Sequence, residues 1–168
     1  MFSAVRKGAR EREYESAIQW LEDAGLIHKC YVVGNKLTPL AHYAERSCFK
    51  VFPLDVGLLG AMAGARPKQS LDDHQFKEFK GTFTEAYVAQ HLTANDVPLY
   101  YWRSKSGGAE RDFMLSADAE PLPLEVKAGM NTKSKSLRSY DDQYAPRLLT
   151  RSTLLNLRYD GKILNIPL

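Results

Sequence analysis

Three residues of this chain have the types and spacing that suit the cleavage of a phosphodiester. Asp112 is followed after a short interval by the triplet Glu125-Val126-Lys127, so two carboxylates and one ammonium group fall in one stretch of sequence. A divalent cation held by carboxylates can activate a water molecule and offset the charge that develops during such a reaction. These side chains are therefore candidates for a metal-dependent site.

A β-hairpin is predicted to carry the three residues. The residue types of 110–115 and 122–127 predict two strands, and the polar run 116–121 predicts the turn that joins them. If the hairpin is centred on this turn, Leu115 lies opposite Leu122. The same register places the two carboxylates opposite each other.

Strand alternation then decides which side chains share a face. It places Glu110, Asp112 and Met114 on one face of the first strand, and Glu125 and Lys127 on one face of the second. Directly opposed residues on one face have Cβ atoms roughly 4.5–5.5 Å apart, a spacing at which like charges repel. We therefore expect a positive group between Asp112 and Glu125.

Mg²⁺, or Mn²⁺ in its place, is the cation that this donor set favours. Mg²⁺ takes oxygen ligands at about 2.0–2.1 Å and usually keeps waters and substrate phosphate in its remaining positions. Asp112 and Glu125 would be the metal ligands, and Lys127 would orient the attacking water or neutralise the phosphate. The alternative is that Lys127 and Arg111 balance the acids as a solvated surface pair of little energetic value.

A family resemblance covers about residues 49–168. Its motifs occur in separate places: Phe49-Lys50-Val51-Phe52-Pro53-Leu54-Asp55-Val56-Gly57-Leu58-Leu59, Tyr101-Trp102-Arg103-Ser104, Gly108-Ala109-Glu110-Arg111-Asp112-Phe113, Pro123-Leu124-Glu125-Val126-Lys127 and residues 160–168. Together they resemble the PD-(D/E)XK nuclease-like superfamily and, more narrowly, the C-terminal domain of unknown function 4143 of AAA-type ATPases. The resemblance implies an α/β fold with a restriction-endonuclease-like mixed sheet flanked by helices.

A third acid, Glu85, is implied by the same resemblance. Residues 81–88 resemble the helical segment that carries an acid ahead of the hairpin, and this acid would bind the metal directly or through water. Apolar periodicity predicts a helix over about residues 73–95. Its apolar stripe is formed by four aromatic residues: Phe76, Phe79, Phe83 and Tyr87. Glu85 lies off the centre of that stripe, so the alternative is an exposed helix glutamate.

Arg111 departs from the pattern of the family. It stands where relatives often have an apolar residue beside the aspartate, and its contact could be a strand, a phosphate or solvent. The acids and Lys127 are intact. Intact residues do not establish turnover, because one fold can serve catalysis in one protein and binding or regulation in another.

Basic residues surround the hairpin on both sides. Arg103, Lys105 and Arg111 precede or accompany it, and Lys133, Lys135 and Arg138 follow Lys127. Such a collar would hold the phosphates of DNA by salt-sensitive contacts. The net charge of +3 is too small to identify a nucleic-acid-binding protein by itself, and a solvated loop and helix face is the alternative.

The N-terminal part predicts a separate segment. Helical spacing of apolar residues over 10–24, with Gly25 as the C-terminal cap, is followed by a predicted strand at 26–33 and a tight turn into 36–39. A helix that runs into a β wing resembles the end of a winged-helix module. We therefore predict a partial winged-helix segment over residues 1–48 and a nuclease-like domain over residues 49–168.

Several classes of protein are excluded or disfavoured by sequence features that are missing. No glycine-rich loop is followed by Lys and Ser or Thr, so ATP binding by a P-loop is not expected. The resemblance implies that an N-terminal AAA-type ATPase module, absent from this chain, precedes it in a larger protein. Cys30, Cys48 and the four histidines lack zinc-ligand spacing.

Location and assembly follow from the distribution of apolar residues. No apolar run approaches the length of a membrane span, and residues 1–10 are basic without the apolar core of a signal peptide. We expect a cytoplasmic protein. Apolar side chains at Phe2, Val5 and Trp20 would be exposed without the missing module and could drive formation of a homo-oligomer.

Two functions remain open at this point. The first is a metal-dependent nuclease-like domain that acts on DNA, with Asp112 and Glu125 as ligands, Glu85 as an auxiliary acid and Lys127 as the water-positioning group. The second is a catalytically inactive domain that binds DNA or a protein partner and regulates the attached ATPase.

Overall fold

The computed structural model describes residues 11–34, 37–64, 74–104, 110–130 and 135–168. In chain order, these residues form α1 (Glu11–Asp23), β1 (Ile27–Val33), a 3-10 helix (Leu40–Tyr43), β2 (Ala44–Pro53), α2 (Val56–Met62), α3 (His74–Ala94), β3 (Tyr100–Arg103), β4 (Glu110–Arg111), β5 (Phe113–Ala117), β6 (Glu120–Val126), α4 (Lys135–Tyr144), β7 (Leu149–Thr153), β8 (Arg158–Asp160) and β9 (Ile163–Pro167). Among these helices, none has the length and apolar character needed to cross a membrane.

The described strands form two mixed sheets, with orders β2-β1-β3-β4 and β5-β6-β7-β9-β8. In the first sheet, β1 is antiparallel to β2 and parallel to β3, and β3 is antiparallel to β4. In the second, β6, β7 and β9 run parallel, while β5 and β8 are antiparallel edge strands. The predicted α/β class with mixed pairing is confirmed.

Two apolar clusters cover the opposite faces of the sheets, and each draws residues from both sheets. The first cluster, which we call the α3 side, includes Ala86 and Ala89 of α3, together with Tyr101, Phe113 and Leu124. The second, the α4 side, has a different set of buried residues: Leu137 and Tyr140 of α4, Trp102 of β3, Met114 of β5 and Leu149 of β7. Complete burial of one large apolar side chain stabilises a fold by roughly 1.5–3 kcal/mol. Helices on both faces therefore hold the two sheets side by side.

Helix α1 ends as the sequence predicts. Gly25 has a φ of 68°, a left-handed conformation that glycine adopts without strain. The N–H of Gly25 donates to the carbonyl of Glu22 at 2.8 Å, and the N–H of Leu26 donates to the carbonyl of Leu21 at 2.9 Å. These bonds satisfy carbonyls at the helix end and turn the chain into β1.

Strand β1 belongs to the same sheet as β3. Residues 37–39, expected to follow the tight turn of a wing, form no strand, and the antiparallel partner of β1 is β2. Pro39 lacks the N–H that a ladder position needs, which is consistent with this arrangement. The boundary predicted after residue 48 falls inside β2, which spans Ala44–Pro53.

The β5–β6 hairpin has the predicted register. Leu115 lies opposite Leu122. The turn is tighter than predicted, because only Asp118 and Ala119 separate the strands, with φ values of 49° and 63°. Positive φ at both central positions is typical of the type I′ turn that joins twisted antiparallel strands.

Helix α3 forms where predicted, but its predicted apolar stripe is wrong. Phe79 and Tyr87 are 52% and 40% exposed, whereas Ala86 and Ala89 are buried. Small alanine side chains let the helix approach the sheet closely, and the larger aromatic rings lie on its flank. Of Phe76, only its place within α3 is described. The face that meets the sheet is therefore defined by alanines, and Glu85 lies next to it in sequence.

Candidate functional site

The strand that carries Asp112 is interrupted at that residue. Arg111 pairs with Trp102 in the first sheet, and Phe113 pairs with Leu124 in the second. The guanidinium carbon of Arg111 lies 5.5 Å from the centre of the Trp102 ring on the α4 side, whereas Phe113 packs in the cluster on the α3 side. Regular alternation would place both side chains on one face. The bend at Asp112 therefore places the side chains of Arg111 and Phe113 on opposite faces.

This bend corrects one prediction from the sequence. Glu110 forms an ion pair with Lys50, which also pairs with Glu85 of α3, so Glu110 reaches the α3 side. Met114 is fully buried in the cluster on the α4 side. The prediction that Glu110, Asp112 and Met114 share one face is wrong, because it assumes an unbroken strand.

The carboxylate of Asp112 is fixed by the neighbouring strand. The N–H of Val126 donates a hydrogen bond of 2.7 Å to Asp112 Oδ2. Burial raises the pKa of Asp112 to about 6, the Val126 N–H and Lys50 oppose this rise, and the charges of Glu85 and Glu125 add to it. Two acids from different elements therefore act electrostatically on Asp112, as expected for carboxylates gathered at one place.

Glu125 and Lys127 form a direct ion pair at the end of β6. Lys127 Nζ lies 2.6 Å from Glu125 Oε1, and the Glu125 side chain is only 4% exposed while that of Lys127 is 34% exposed. The N–H of Lys127 donates to the carbonyl of Ser152 at 2.9 Å, so the backbone continues beside β7. The pair therefore has a buried acid and a lysine that reaches solvent.

Glu85 lies at the site, but its partner is a residue that sequence reasoning missed. Lys50 Nζ contacts Glu85 Oε1 at 2.9 Å and Glu110 Oε1 at 2.5 Å, and it lies 4.9 Å from the centre of the Tyr101 ring. Burial lowers the pKa of Lys50, but the two carboxylates outweigh burial and hold the pKa above its usual value. Lys50 is therefore a charged ammonium held by two acids and an aromatic face.

Arg111 is completely buried, so it does not belong to the surface cations. Its Nη1 donates to the Glu110 carbonyl at 2.6 Å, and its guanidinium also lies 5.8 Å from the Tyr140 ring centre. Nε and Nη2 are buried and find no hydrogen-bond partner in the described part of the chain. Burial lowers the pKa of Arg111, and the charges of Glu125 and Asp112 oppose that change.

The other cations of the predicted collar lie in different settings. Arg103 and Arg138 are exposed, and Arg103 Nη2 also donates to Cys48 Sγ at 3.4 Å. Lys105 and Lys133 fall outside the described residues, and Lys135 is described only as the first residue of α4. Arg103 and Arg138 are therefore the predicted cations that the structure places at the surface.

A second buried charged group lies further along the second sheet. Arg151 is paired in register with both Glu125 and Asn165. Its Nε and Nη2 donate to Asn165 Oδ1 at 2.9 and 2.7 Å. The sequence does not show that Arg151 would be buried, because arginine at a strand position usually faces solvent.

The chemical type of the acidic side chains at this site suits a hard divalent cation. Glu85, Asp112 and Glu125 offer carboxylate oxygens, which are the ligands that Mg²⁺ prefers. Lysine ammonium groups nevertheless hold two of these acids in ion pairs. In the described ranges, no group of three or more His, Cys, Asp or Glu side chains has an arrangement that could hold a metal ion. The acids are of the type that Mg²⁺ prefers, but in this structure Glu85 and Glu125 are paired with lysines and the acids are not arranged around a cation.

Comparison with known proteins gives two family matches. The family model of the domain of unknown function DUF4143 matches residues 80–168, and that of the domain of unknown function DUF8612 matches residues 1–69. No curated protein and no solved structure matches the chain. The first match covers more than half of the 168 residues and contains Glu85, Asp112, Glu125 and Lys127. The chain belongs to the family of the domain of unknown function DUF4143.

Proposed function

We propose that this chain is a nuclease-like domain of the PD-(D/E)XK type that cleaves DNA with the help of Mg²⁺ or Mn²⁺. The observation that carries the proposal is that the charges of Glu85 and Glu125, from two other elements, both act on Asp112 and raise its pKa, with Lys127 directly beside Glu125. Carboxylates that act on one another across different elements disfavour each other's charged forms, and a shared divalent cation would relieve that repulsion.

The roles of the residues follow from their positions. Asp112 and Glu125 would hold the cation, with Glu85 as an auxiliary ligand. When bound, such a cation supplies an acidified water and offsets charge on the phosphate oxygens. The Val126 N–H keeps one oxygen of Asp112 in place. The Lys127 side chain is 34% exposed, so its ammonium can contact a phosphate or orient a water without leaving Glu125.

The cellular setting is also part of the proposal. We place the domain after an AAA-type ATPase module in a cytoplasmic protein, with α1 and the β1–β2 pair as a partial winged-helix segment between the two. Exposed Arg103 and Arg138 would contribute phosphate contacts to DNA. Trp20 is 69% exposed, so a neighbouring module or a second copy of the chain would find an apolar contact there.

A second candidate function is favoured by the ion pairs. Lys50 and Lys127 neutralise acids that a metal would otherwise bind. A domain with its acids already neutralised could bind DNA or a protein partner and regulate the attached ATPase without cleaving anything.

A nuclease assay with matched variants tests the first proposal. Supercoiled, linear and branched DNA are incubated with the protein and increasing Mg²⁺ or Mn²⁺, and wild type is compared with Asp112→Asn and Lys127→Met. We expect each variant to lose at least about 100-fold in rate, the lower end of what a positioned catalytic group contributes. Asp142→Asn, an exposed acid of α4, is the control and should retain activity.

The outcomes separate the two candidate functions. Metal-dependent cleavage that survives in Asp112→Asn would show that a contaminant or another site is responsible. DNA binding without cleavage at any metal concentration favours the regulatory domain, and absence of both favours a protein partner.

A further inference from the structure

Lys50 lies on the α3 side between Glu85, an acid of the proposed site, and Glu110. It extends from β2, and its ammonium contacts Glu85 of α3 and Glu110 of β4. These two acids are 35 and 60 positions away in the chain. The ammonium therefore joins a helix and two strands at one nitrogen atom.

The surroundings of Lys50 differ from those of an ordinary surface ion pair. Its side chain and that of Glu85 are each 25% exposed, and the ammonium lies over the face of Tyr101. An ammonium above an aromatic face and between two carboxylates is held by three favourable interactions. The charge of Lys50 also acts on Asp112 and favours its ionised form.

Charge balance explains why a cation is needed there. Glu85, Glu110 and Asp112 carry three negative charges when ionised, and like charges in a partly buried place repel strongly. Lys127 is already paired with Glu125 at the end of β6. Among the described residues, Lys50 is the lysine that contacts Glu85 and Glu110.

We propose that the Lys50 ammonium is the internal counter-ion of this site, which gathers Glu85 and Glu110 beside Asp112 and competes with a divalent cation for Glu85. The inference rests on the proposed metal site and adds a residue that controls access to it. Lys50 holds Oε1 of Glu85, so a divalent cation that takes Glu85 as a ligand must displace Lys50 or bind against its positive charge. Metal affinity is therefore set by Lys50 as well as by the ligands.

Metal titration of the intact chain tests this role without an activity assay. Mn²⁺ binding is measured by isothermal titration calorimetry for wild type, Lys50→Met and Lys29→Met. Lys29 is a matched control on the adjacent strand, because it also pairs with a glutamate, Glu22 at 2.7 Å, and lies 5.3 Å from the ring centre of Phe49. Circular dichroism confirms that each variant is folded.

We expect Mn²⁺ affinity to increase in Lys50→Met and not in Lys29→Met. Lys50→Met should bind Mn²⁺ at least about tenfold more tightly than wild type, a factor equivalent to about 1.4 kcal/mol. Lys29→Met should match wild type. Equal or weaker binding by Lys50→Met than by a wild type that does bind overturns the counter-ion role and leaves the proposed function in place.

Two further outcomes separate the inference from the function on which it rests. Binding by Lys50→Met but not by wild type supports the counter-ion role and refutes metal-dependent cleavage by the natural chain. Absence of binding in both refutes the two proposals together.

A second measurement applies if Lys50→Met does not fold. Wild type with labelled lysine is titrated with Mg²⁺ and followed by nuclear magnetic resonance of the lysine Nζ groups. The Lys50 signal should move toward that of a solvated lysine while the Lys29 signal stays constant. An unchanged Lys50 signal at saturating Mg²⁺, or no detectable saturation, overturns the inference.

Discussion

The two sides of the sheet hold charge in different ways around Asp112. On the α3 side, Lys50, Glu85 and Glu110 pair charge with charge, and their side chains are between 25% and 41% exposed. On the α4 side, Arg111 and Glu125 are buried to 0% and 3% exposure. The first set can exchange a partner with solvent, whereas Arg111 lies against the rings of Trp102 and Tyr140, which pack in the cluster on the α4 side.

This difference decides which side can accept a ligand. A partly exposed charge keeps some contact with water, which screens its attraction to its partner more than in a buried pair, so a solvent cation can compete. A buried charge loses its hydration and is strongly destabilised when its partner is removed. The α3 side therefore suits exchange of Lys50 for a metal ion. The buried Arg111 and Glu125 suit a fixed framework, which would hold Glu125 in position as a ligand of the same ion.

The largest expected effect comes from the same substitution made on each side. Glu125→Gln leaves Lys127 without its partner and removes the acid that favours the charged form of Arg111. We expect the free energy of unfolding to fall by roughly 3 kcal/mol, as for loss of one member of a buried pair. Glu85→Gln on the α3 side should lose about 1 kcal/mol or less. Urea denaturation measures both, and similar losses would remove the distinction between the two sides.

A smaller effect compares two buried arginines of the α4 side. Arg151→Met leaves Asn165 Oδ1 without its two donors, and the expected loss is about 2 kcal/mol. Arg111→Met removes a guanidinium whose Nε and Nη2 already lack partners in the described residues. It should leave stability unchanged or raise it by about 1 kcal/mol. A larger loss for Arg111→Met than for Arg151→Met, measured by thermal unfolding, would show that Arg111 supports the fold despite its unpaired atoms.

The sequence predicts the elements whose signals are local. Apolar periodicity predicts the positions of α1 and α3, and Gly25 predicts the end of α1. Leu115 and Leu122 lie opposite each other. The sequence predicts this register because the polar run 116–121 marks the turn on which the hairpin is centred. Each of these signals lies within one element or its immediate neighbour.

What the sequence does not predict depends on contacts between distant residues. The bend at Asp112 goes with a bond between its side chain and the Val126 backbone, which strand alternation does not include. The packing face of α3 is set by small alanines, because close approach to the sheet outweighs the size of the aromatic residues. Lys50 reaches the site through the pairing of β1 with β2 and β3, which no local pattern specifies.

The smallest expected effect tests whether the charges of the α3 side act on Asp112. Its pKa is about 6 in the folded chain, against a usual value of 3.8, chiefly because of burial. The folded state therefore holds the Asp112 proton more tightly than the unfolded state does. The contribution of Asp112 to stability then grows as pH falls through 6 and is complete below 3.8.

This increase in stability at lower pH should be absent from the variant Asp112→Asn. Between pH 7 and pH 5, in the presence of a chelator, the stability of wild type should rise by about 1 kcal/mol relative to the variant, since one pKa unit corresponds to 1.36 kcal/mol. Urea denaturation at the two pH values measures this difference. Glu85→Gln should shrink the rise, because the charge of Glu85 adds to the elevated pKa, and Lys50→Met should enlarge it, because Lys50 opposes that elevation. A rise that neither substitution alters would mean that the charges of Glu85 and Lys50 on the α3 side do not act on Asp112.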